Sequence, residues 1–270
     1  MSISFTAIRE PSLDPIRTVR TCSAINTATS LLPIKEEIEV SDRDTLVLLD
    51  VGGTLLYPTD PLFHECNDGW KREWYAKHHP ELSIEERREL ARIAESFQVM
   101  NDSSWQCLDE WPELVKQAQR RNVKVIAFSR VIIDPCLEEE LSARLANFDI
   151  PIKNDLPELV GKGVQFIYAN GVIQTGEREK GPVLKEVISH LTHQPKKIIF
   201  VDDRMTQNES VQQACDELGI PAACFFYAGS NKPPLFNEAV ANYQMDNLVR
   251  NRVWVSFEEA SKRLSIGSSR

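Results

Sequence analysis

The stretch Leu46–Pro58, LVLLDVGGTLLYP, runs four apolar residues into a lone carboxylate, Asp50, and then into Gly52, Gly53 and Thr54. An apolar run this short, bounded by glycines, is too brief for a helix and reads as a buried strand. A strand core needs no acid at its end and no turn this permissive after it. A carboxylate that must act at the edge of a sheet needs both. Asp50 is therefore the first candidate functional residue.

Working outward, residues 35–41, KEEIEVS, read as a short charged helix before that strand. From Leu62 to about Gln119 the pattern is helical, with Ser83 as an N-cap, Glu86 completing a capping box, and EWPELVKQAQRRN as a third helix. VKVIAFS (123–129) is a second strand, and CLEEELSARLANF is another helix. In GVQFIYANGVIQTG, Asn170–Gly171 marks a β-hairpin. GPVLKEVISHLTH follows as a helix with Pro182 in its first turn, where a missing N–H is harmless. KKIIFVDD is a third strand ending on Asp202 and Asp203, NESVQQACDELG a helix closed by Gly219, and AACFFYAG a fourth strand. Strands alternating with helices predict an α/β fold, a Rossmann-like parallel sheet sandwiched by helices. In such sheets ligands bind beyond the carboxyl ends of the strands. Asp50, Ser129 and the Asp202–Asp203 pair all close strands, so they are expected to converge on one edge.

The 270 residues are 42% hydrophobic and 26% charged, sufficient for a sizeable core in one domain with an insertion or in two small domains. A net charge of −9 with no Lys/Arg-rich run argues against nucleic acid and anionic membranes as partners. It leaves room for a phosphorylated ligand, which a few local cations can hold. No apolar run approaches the roughly 18 residues of a membrane span. Residues 1–34 are Ser/Thr-rich, lack a hydrophobic signal core, and read as a disordered or weakly ordered tail. The six cysteines show no CxxC spacing and the five histidines no metal-binding pattern. Reduced thiols in a cytoplasmic compartment, without a zinc site, are the expectation. Export without a conventional signal peptide is the alternative.

Taken singly, these residues have ordinary readings. Ser129 is a strand-end cap, and Lys180 a solvated lysine with Lys185 as its rival. The Asp202–Asp203 pair is harder to set aside, because adjacent carboxylates at a buried strand end repel unless a cation sits beside them. In their order along the chain, Asp50 with Thr54, Ser129, Lys180 in EKGPVL and Asp202–Asp203 in IIFVDD, these residues resemble the four motifs of the haloacid-dehalogenase-like (HAD) superfamily. The resemblance covers roughly residues 44–228. The stretch from Asn170 to Val211 looks especially like a poorly characterised branch of that superfamily, found in intracellular bacteria, with a small helical cap and no assigned substrate.

The resemblance implies a Mg²⁺-dependent phosphatase acting on a phosphorylated small molecule or a phosphoprotein. Asp50 would attack phosphorus and form an aspartyl-phosphate. Asp50, Asp203 and the Gly52 carbonyl would hold Mg²⁺, with Asp202 a weaker ligand that orients the others. Ser129 and Lys180 would bind the phosphoryl oxygens. The turn of Gly52, Gly53 and Thr54 would present backbone N–H groups to the phosphate. The Lys-Gly pair at a helix start favours Lys180 over Lys185, which lies inside the helix.

One position departs from the superfamily pattern. Where its phosphatases carry a second aspartate, which protonates the leaving group and later activates water, this chain has Gly52. General acid–base help is worth roughly 10²–10⁴-fold. Three readings follow. The first is hydrolysis of esters whose leaving group needs little protonation, or the use of another acid, with His64 and Glu65 as candidates. The second is cleavage of phosphonates or other non-phosphoester bonds. The third is a binding or regulatory protein, such as a secreted effector, with little turnover.

Asp50 and Ser129 stand 79 positions apart, far more than one crossover helix needs. Residues 62–112 therefore read as a helical cap inserted into a core of residues 35–61 and 113–258, with 259–270 a terminal helix end and tail. The cap aromatics Trp70, Trp74, Tyr75, Phe97, Trp105 and Trp111 line a pocket or, more simply, form a small helical core. Phe63, His64 and Glu65 follow the glycine turn closely enough to approach the site. The C-terminal FEEASKRLSIGSSR is an amphipathic helix with a loose tail, or alternatively a docking or translocation signal.

Overall fold

The computed structural model describes residues 24–107, 109–131, 139–163, 165–229 and 235–267. Residues 1–23 of the expected tail, the start of the CLEEELSARLANF helix and the last three residues lie outside the described residues. In chain order the strands are β1 (Asn26–Ala28), β2 (Thr45–Leu49), β3 (Tyr57–Pro58), β4 (Trp105–Gln106), β5 (Lys124–Ser129), β6 (Ile167–Ala169), β7 (Val172–Gln174), β8 (Lys197–Asp202) and β9 (Ala222–Tyr227). β3 pairs only with β4. The other seven strands form one sheet in the order β1-β9-β8-β2-β5-β7-β6, parallel throughout except for the β6–β7 hairpin.

The central strand is the one that opened the sequence reading. β2 is buried from end to end, and its side chains alternate between two apolar cores. Val47 and Leu49 pack with the helices α1 (Leu32–Glu39), α4 (Trp111–Arg120) and α5 (Glu140–Asn147) on one face. Leu46 and Leu48 pack with α6 (Lys180–His190) and α7 (Met205–Leu218) on the other. A strand covered on both faces has no polar side, which is why LVLL is continuous rather than alternating. The sheet order turns at β2, with β5 and β7 on one side and β8 and β9 on the other. The crevice at the carboxyl ends of β2 and β8 is thus a topological switch point.

Local chemistry explains most boundaries. The first helix begins at Leu32, earlier than expected, because Pro33 suits a first helical turn. The hairpin turns at Asn170 and Gly171, both with positive φ (47° and 86°), as a twisted two-residue connection requires. One part of the predicted tail is placed differently: Asn26–Ala28 forms β1, an edge strand parallel to β9.

Between β3 and β4 the chain leaves the sheet and builds α2 (Asp68–His78) and α3 (Ile84–Met100). Ser83 and Glu86 make the expected capping box, with the Glu86 N–H donating to Ser83 Oγ at 3.2 Å and the Ser83 N–H to Glu86 Oε2 at 2.8 Å. The apolar residues of this insertion do not form a closed core of their own. Leu62, Trp74, Leu90 and Ala94 pack against Ala241, Met245 and Leu248 of α8 (Glu238–Asn251) and against Trp254. The Trp74 indole N–H donates to Asn242 Oδ1 at 2.8 Å. The sequence reading assigned no element to α8, although its N-cap, Asn237, was there to be seen and binds the Val240 N–H at 3.2 Å. The chain closes with α9 (Phe257–Gly267). Among the described residues no helix is long and apolar enough to cross a membrane.

Candidate active site

At the switch point lies a cleft of about 960 Å³. Its floor is the sheet edge, with Asp50, Gly52, Gly53, Ser129, Lys180, Asp202 and Asp203 all at its surface. The Asp50 N–H donates to Val201 O at 2.9 Å, so the ladder between β2 and β8 carries on one residue past β2 and fixes the carboxylate beside the end of β8. Oxygens of Asp50, Asp202 and Asp203 lie within 4.8 Å of one another.

Lys180 stands among these acids. Its side chain is fully buried, and Nζ donates to Asp50 Oδ1 and, at 2.5 Å, to Asp202 Oδ2. Nζ also sits 5.6 Å from the ring centre of Phe128 and 5.4 Å from that of Phe200, so two aromatic faces, one from β5 and one from β8, flank the charge. The start of α6 is held by α7: the Lys180 N–H donates to Gln207 Oε1 at 3.0 Å and the Gly181 N–H to Ser210 Oγ at 3.1 Å. Lys185, the rival candidate, is half-buried away from the cleft and pairs with Glu217 at 2.7 Å.

The three acids are not equivalent. Asp202 uses both oxygens, Oδ2 for Lys180 and Oδ1 for the Arg204 N–H at 2.8 Å. Asp203 Oδ1 is buried without a hydrogen-bond partner among the described residues. Burial pushes the Asp50 carboxyl up to about 6, with Lys180 pulling the other way and Asp202 adding to the rise. Asp203 is raised well above the usual range by burial and then by the charges of Asp50 and Asp202. Burial disfavours the Lys180 ammonium, but the fields of Asp202 and Asp50 outweigh it and hold its pKa above normal. Three carboxyls around one ammonium carry more negative charge when ionised than it balances, so a further cation beside them would favour their ionised forms.

The glycine turn behaves differently from the expected anion nest. The Gly53 N–H donates to Leu56 O at 2.8 Å and the Thr54 N–H to Val51 O at 3.4 Å, so the turn itself uses both donors. The bridge between Gly52 and Leu56 is made by the Leu56 N–H with Val51 O and by the Gly53 N–H with Leu56 O, and it uses neither backbone group of Gly52. Thr54 is fully buried and does not reach the cleft surface, and its Oγ1 has no partner among the described residues. Gly53 serves another purpose: at φ 90°, a Cβ there would lie 2.0 Å from Asp203 Oδ2. Ser129 Oγ accepts the Val131 N–H at 3.2 Å, and among the described residues nothing accepts its own proton.

The roof of the cleft is one face of α3, where Arg88, Ala91, Arg92, Glu95, Gln98 and Val99 recur at helical spacing. Of the six aromatics considered for the cap, only Trp105 lines the cleft. Trp70, Trp74, Tyr75 and Phe97 pack in the insertion core, and Trp111 lies in the sheet core against Tyr227. Phe63 and His64 do reach the cleft. His64 is nonetheless committed, because its Nε2 is 2.8 Å from Pro58 O and burial lowers its pKa. The side chain of Glu65 lies outside the described residues. Sequence reasoning missed Glu95, Arg130 and the two aromatic rings beside Lys180. The repeat along α3 was visible, but nothing in it said which face meets the sheet edge.

Residues 27–261 match the family described as "Protein of unknown function (DUF2608)", and the chain belongs to that family. It is also similar to a Chlamydia trachomatis serovar D protein named "Putative outer membrane protein", with 22% identity over 134 residues, 49% of this chain and 51% of that protein. The chain therefore spans about half the length of the curated relative it matches. Among solved structures it resembles the HAD domain of the effector protein Lem4 from Legionella pneumophila, an inactive mutant, with 14% identity and a TM-score of 0.37 over 82% of this chain and 97% of that one. Neither likeness assigns a role to any residue here.

Proposed function

We propose that the chain is a Mg²⁺-dependent phosphoester hydrolase that works through an aspartyl-phosphate on Asp50. The observation that supports this most is the gathering of the Asp50, Asp202 and Asp203 carboxylates within 4.8 Å, with Lys180 paired to two of them. The donor set is all oxygen and suits a hard divalent cation. The unpartnered Asp203 Oδ1 and the missing Cβ at Gly53 fit the same ion. Asp50, Asp203 and the Gly52 carbonyl would hold it, while Asp202, already engaged twice, orients Lys180. When bound, Mg²⁺ offsets the charge that builds on the phosphoryl oxygens.

The protein's own groups do the rest. Asp50 attacks phosphorus, and an anionic nucleophile can approach an anionic ester here because Lys180 sits beside both. Ser129 Oγ–H and Lys180 Nζ–H donate to phosphoryl oxygens as charge shifts onto them. α3 roofs the cleft and limits the access of water. The substrate is a phosphorylated small molecule or a phosphoprotein.

Release of phosphate from p-nitrophenyl phosphate, with and without Mg²⁺, tests the reading. The expected result is Mg²⁺-dependent release that Asp50→Asn abolishes, with Asp203→Asn weakening Mg²⁺ binding measured by calorimetry. Gly52 favours a second reading, a metal-binding module with little turnover. Mg²⁺ binding without phosphate release across a broad ester panel would establish that reading instead.

A further inference from the structure

Gly52 leaves the sheet edge without a group to protonate a leaving alcohol. We propose that Glu95, on the cleft face of α3, supplies this acid and later acts as the base, so that the reaction is completed from the helical insertion rather than from the strand end. This role rests on the hydrolase reading above.

Geometry carries the assignment. A Cβ at Gly52 would meet only the Trp105 ring, at 3.9 Å. The Trp105 indole N–H donates to Gln98 O at 2.8 Å, which ties this part of α3 to the glycine turn. Glu95 precedes Gln98 by one turn on the same face, and both line the cleft with Asp50. Among the described residues, the other candidates around the cleft are taken. His64 is bound to Pro58 O, Asp68 pairs with Lys71 at 2.6 Å, and Glu177 is exposed opposite Arg88 at 3.8 Å. Glu95 makes no ion pair among the described residues.

Its surroundings favour the protonated form more than water does. Burial raises the Glu95 carboxyl to about 7. Lys71 from α2 opposes this, Glu177 from the loop before α6 adds to it, and Arg130 and Arg204, from the ends of β5 and β8, oppose it. Arg88 and Arg92 are the cations that share its helix and line the same cleft. An acid with a pKa near the working pH is the one best suited to both halves of the reaction.

The steps balance. An Asp50 oxygen forms a bond to phosphorus as the bond from phosphorus to the ester oxygen breaks, and that oxygen takes the Glu95 proton and leaves as the alcohol. Water then attacks phosphorus and gives a proton to the Glu95 carboxylate, while the phosphorus–Asp50 bond breaks and frees phosphate. Enzyme and Glu95 return to their starting states.

The test compares wild type, Glu95→Gln and the double variant Gly52→Asp/Glu95→Gln on p-nitrophenyl phosphate and glycerol phosphate, with Mg²⁺, across the pH range. Wild type is expected to lose kcat/KM on glycerol phosphate as pH rises past about 7. Glu95→Gln is expected to fall roughly 10²-fold or more on glycerol phosphate, much less on the nitrophenyl ester, and to lose that alkaline limb. The double variant is expected to regain alkyl turnover. A folded Glu95→Gln that matches wild type on glycerol phosphate at every pH overturns the role of Glu95 and leaves the hydrolase reading standing. A wild type that releases phosphate from neither ester overturns the hydrolase reading, and the role of Glu95 falls with it.

Discussion

Gly52 and Gly53 are neighbours in one turn, yet they are expected to respond oppositely to alanine. At Gly53 the backbone has φ 90°, a region that costs an L-residue about 1–2 kcal/mol. The new Cβ would stand 2.0 Å from Asp203 Oδ2 and 2.6 Å from its Cγ. The carboxylate must then move by about 1 Å or more, away from its rotamer, for roughly 0.5–1.5 kcal/mol. Gly53→Ala is therefore expected to destabilise the fold by about 2–3 kcal/mol. Gly52 lies outside the positive-φ region, and its Cβ would make an ordinary 3.9 Å contact with Trp105. Gly52→Ala is expected to change stability by less than about 0.5 kcal/mol. Thermal unfolding should separate the two variants by roughly 4–8 °C, at about 2–4 °C per kcal/mol. On the proposed reading Mg²⁺ should raise the midpoints of wild type and Gly52→Ala alike, and that of Gly53→Ala less, because Asp203 would be displaced. Equal midpoints and equal Mg²⁺ responses would refute the placement of Gly53 under Asp203.

Lys180→Met removes the ammonium bonded to Asp50 and Asp202, and is expected to cost about 3–5 kcal/mol in urea unfolding at pH 7.5. The loss should shrink on acidification, as the abandoned carboxylates take up protons. Gln244→Ala should cost about 2–4 kcal/mol, since this fully buried amide donates to Asp60 Oδ2 at 2.5 Å and to Val255 O at 2.9 Å, joining the root of the insertion to α8. Glu95 has a folded-state pKa raised to about 7 from 4.5, so the stability it contributes is complete below 4.5 and fades as pH rises through 7. Wild type should therefore lose stability relative to Glu95→Gln between pH 5 and pH 8, measured by denaturant unfolding at each pH.

The central sheet and the residues gathered at its carboxyl edge were legible in the sequence because both follow from backbone periodicity. Leu46–Leu49 could only be a strand buried on both faces, and the residue after such a strand sits at its carboxyl end whatever the rest of the chain does. Asp50, Ser129, Asp202 and Asp203 are strand-end residues of this kind, and Lys180 opens a helix that must begin at the same edge. Thr54 is placed otherwise than expected for a related reason. Its distance along the chain from Asp50 is fixed, but the fold of the turn decides where its N–H goes, and that group donates to Val51 O at 3.4 Å while the side chain is buried.

Residues on helices over the cleft obey no such rule. Their position depends on how the helix crosses the sheet, and that crossing is set by contacts distant in sequence. α3 turns Leu90 and Ala94 toward Ala241, Met245 and Leu248 of α8, and this packing leaves Glu95 and Gln98 lining the cleft that also holds Asp50. Without α8 in the reading, the polar face of α3 had no defined direction, and Glu95 was one glutamate among several on an amphipathic helix. The same dependence has a functional consequence. The roof of the cleft is held by a helix encoded some 140 residues after it, so substitutions at Met245 or Leu248 that keep the sheet intact should still reorient α3 above Asp50. On the proposed reading the sheet fixes where phosphorus would be attacked, and the packing of α8 on α3 sets which side chains of α3 line the cleft above it.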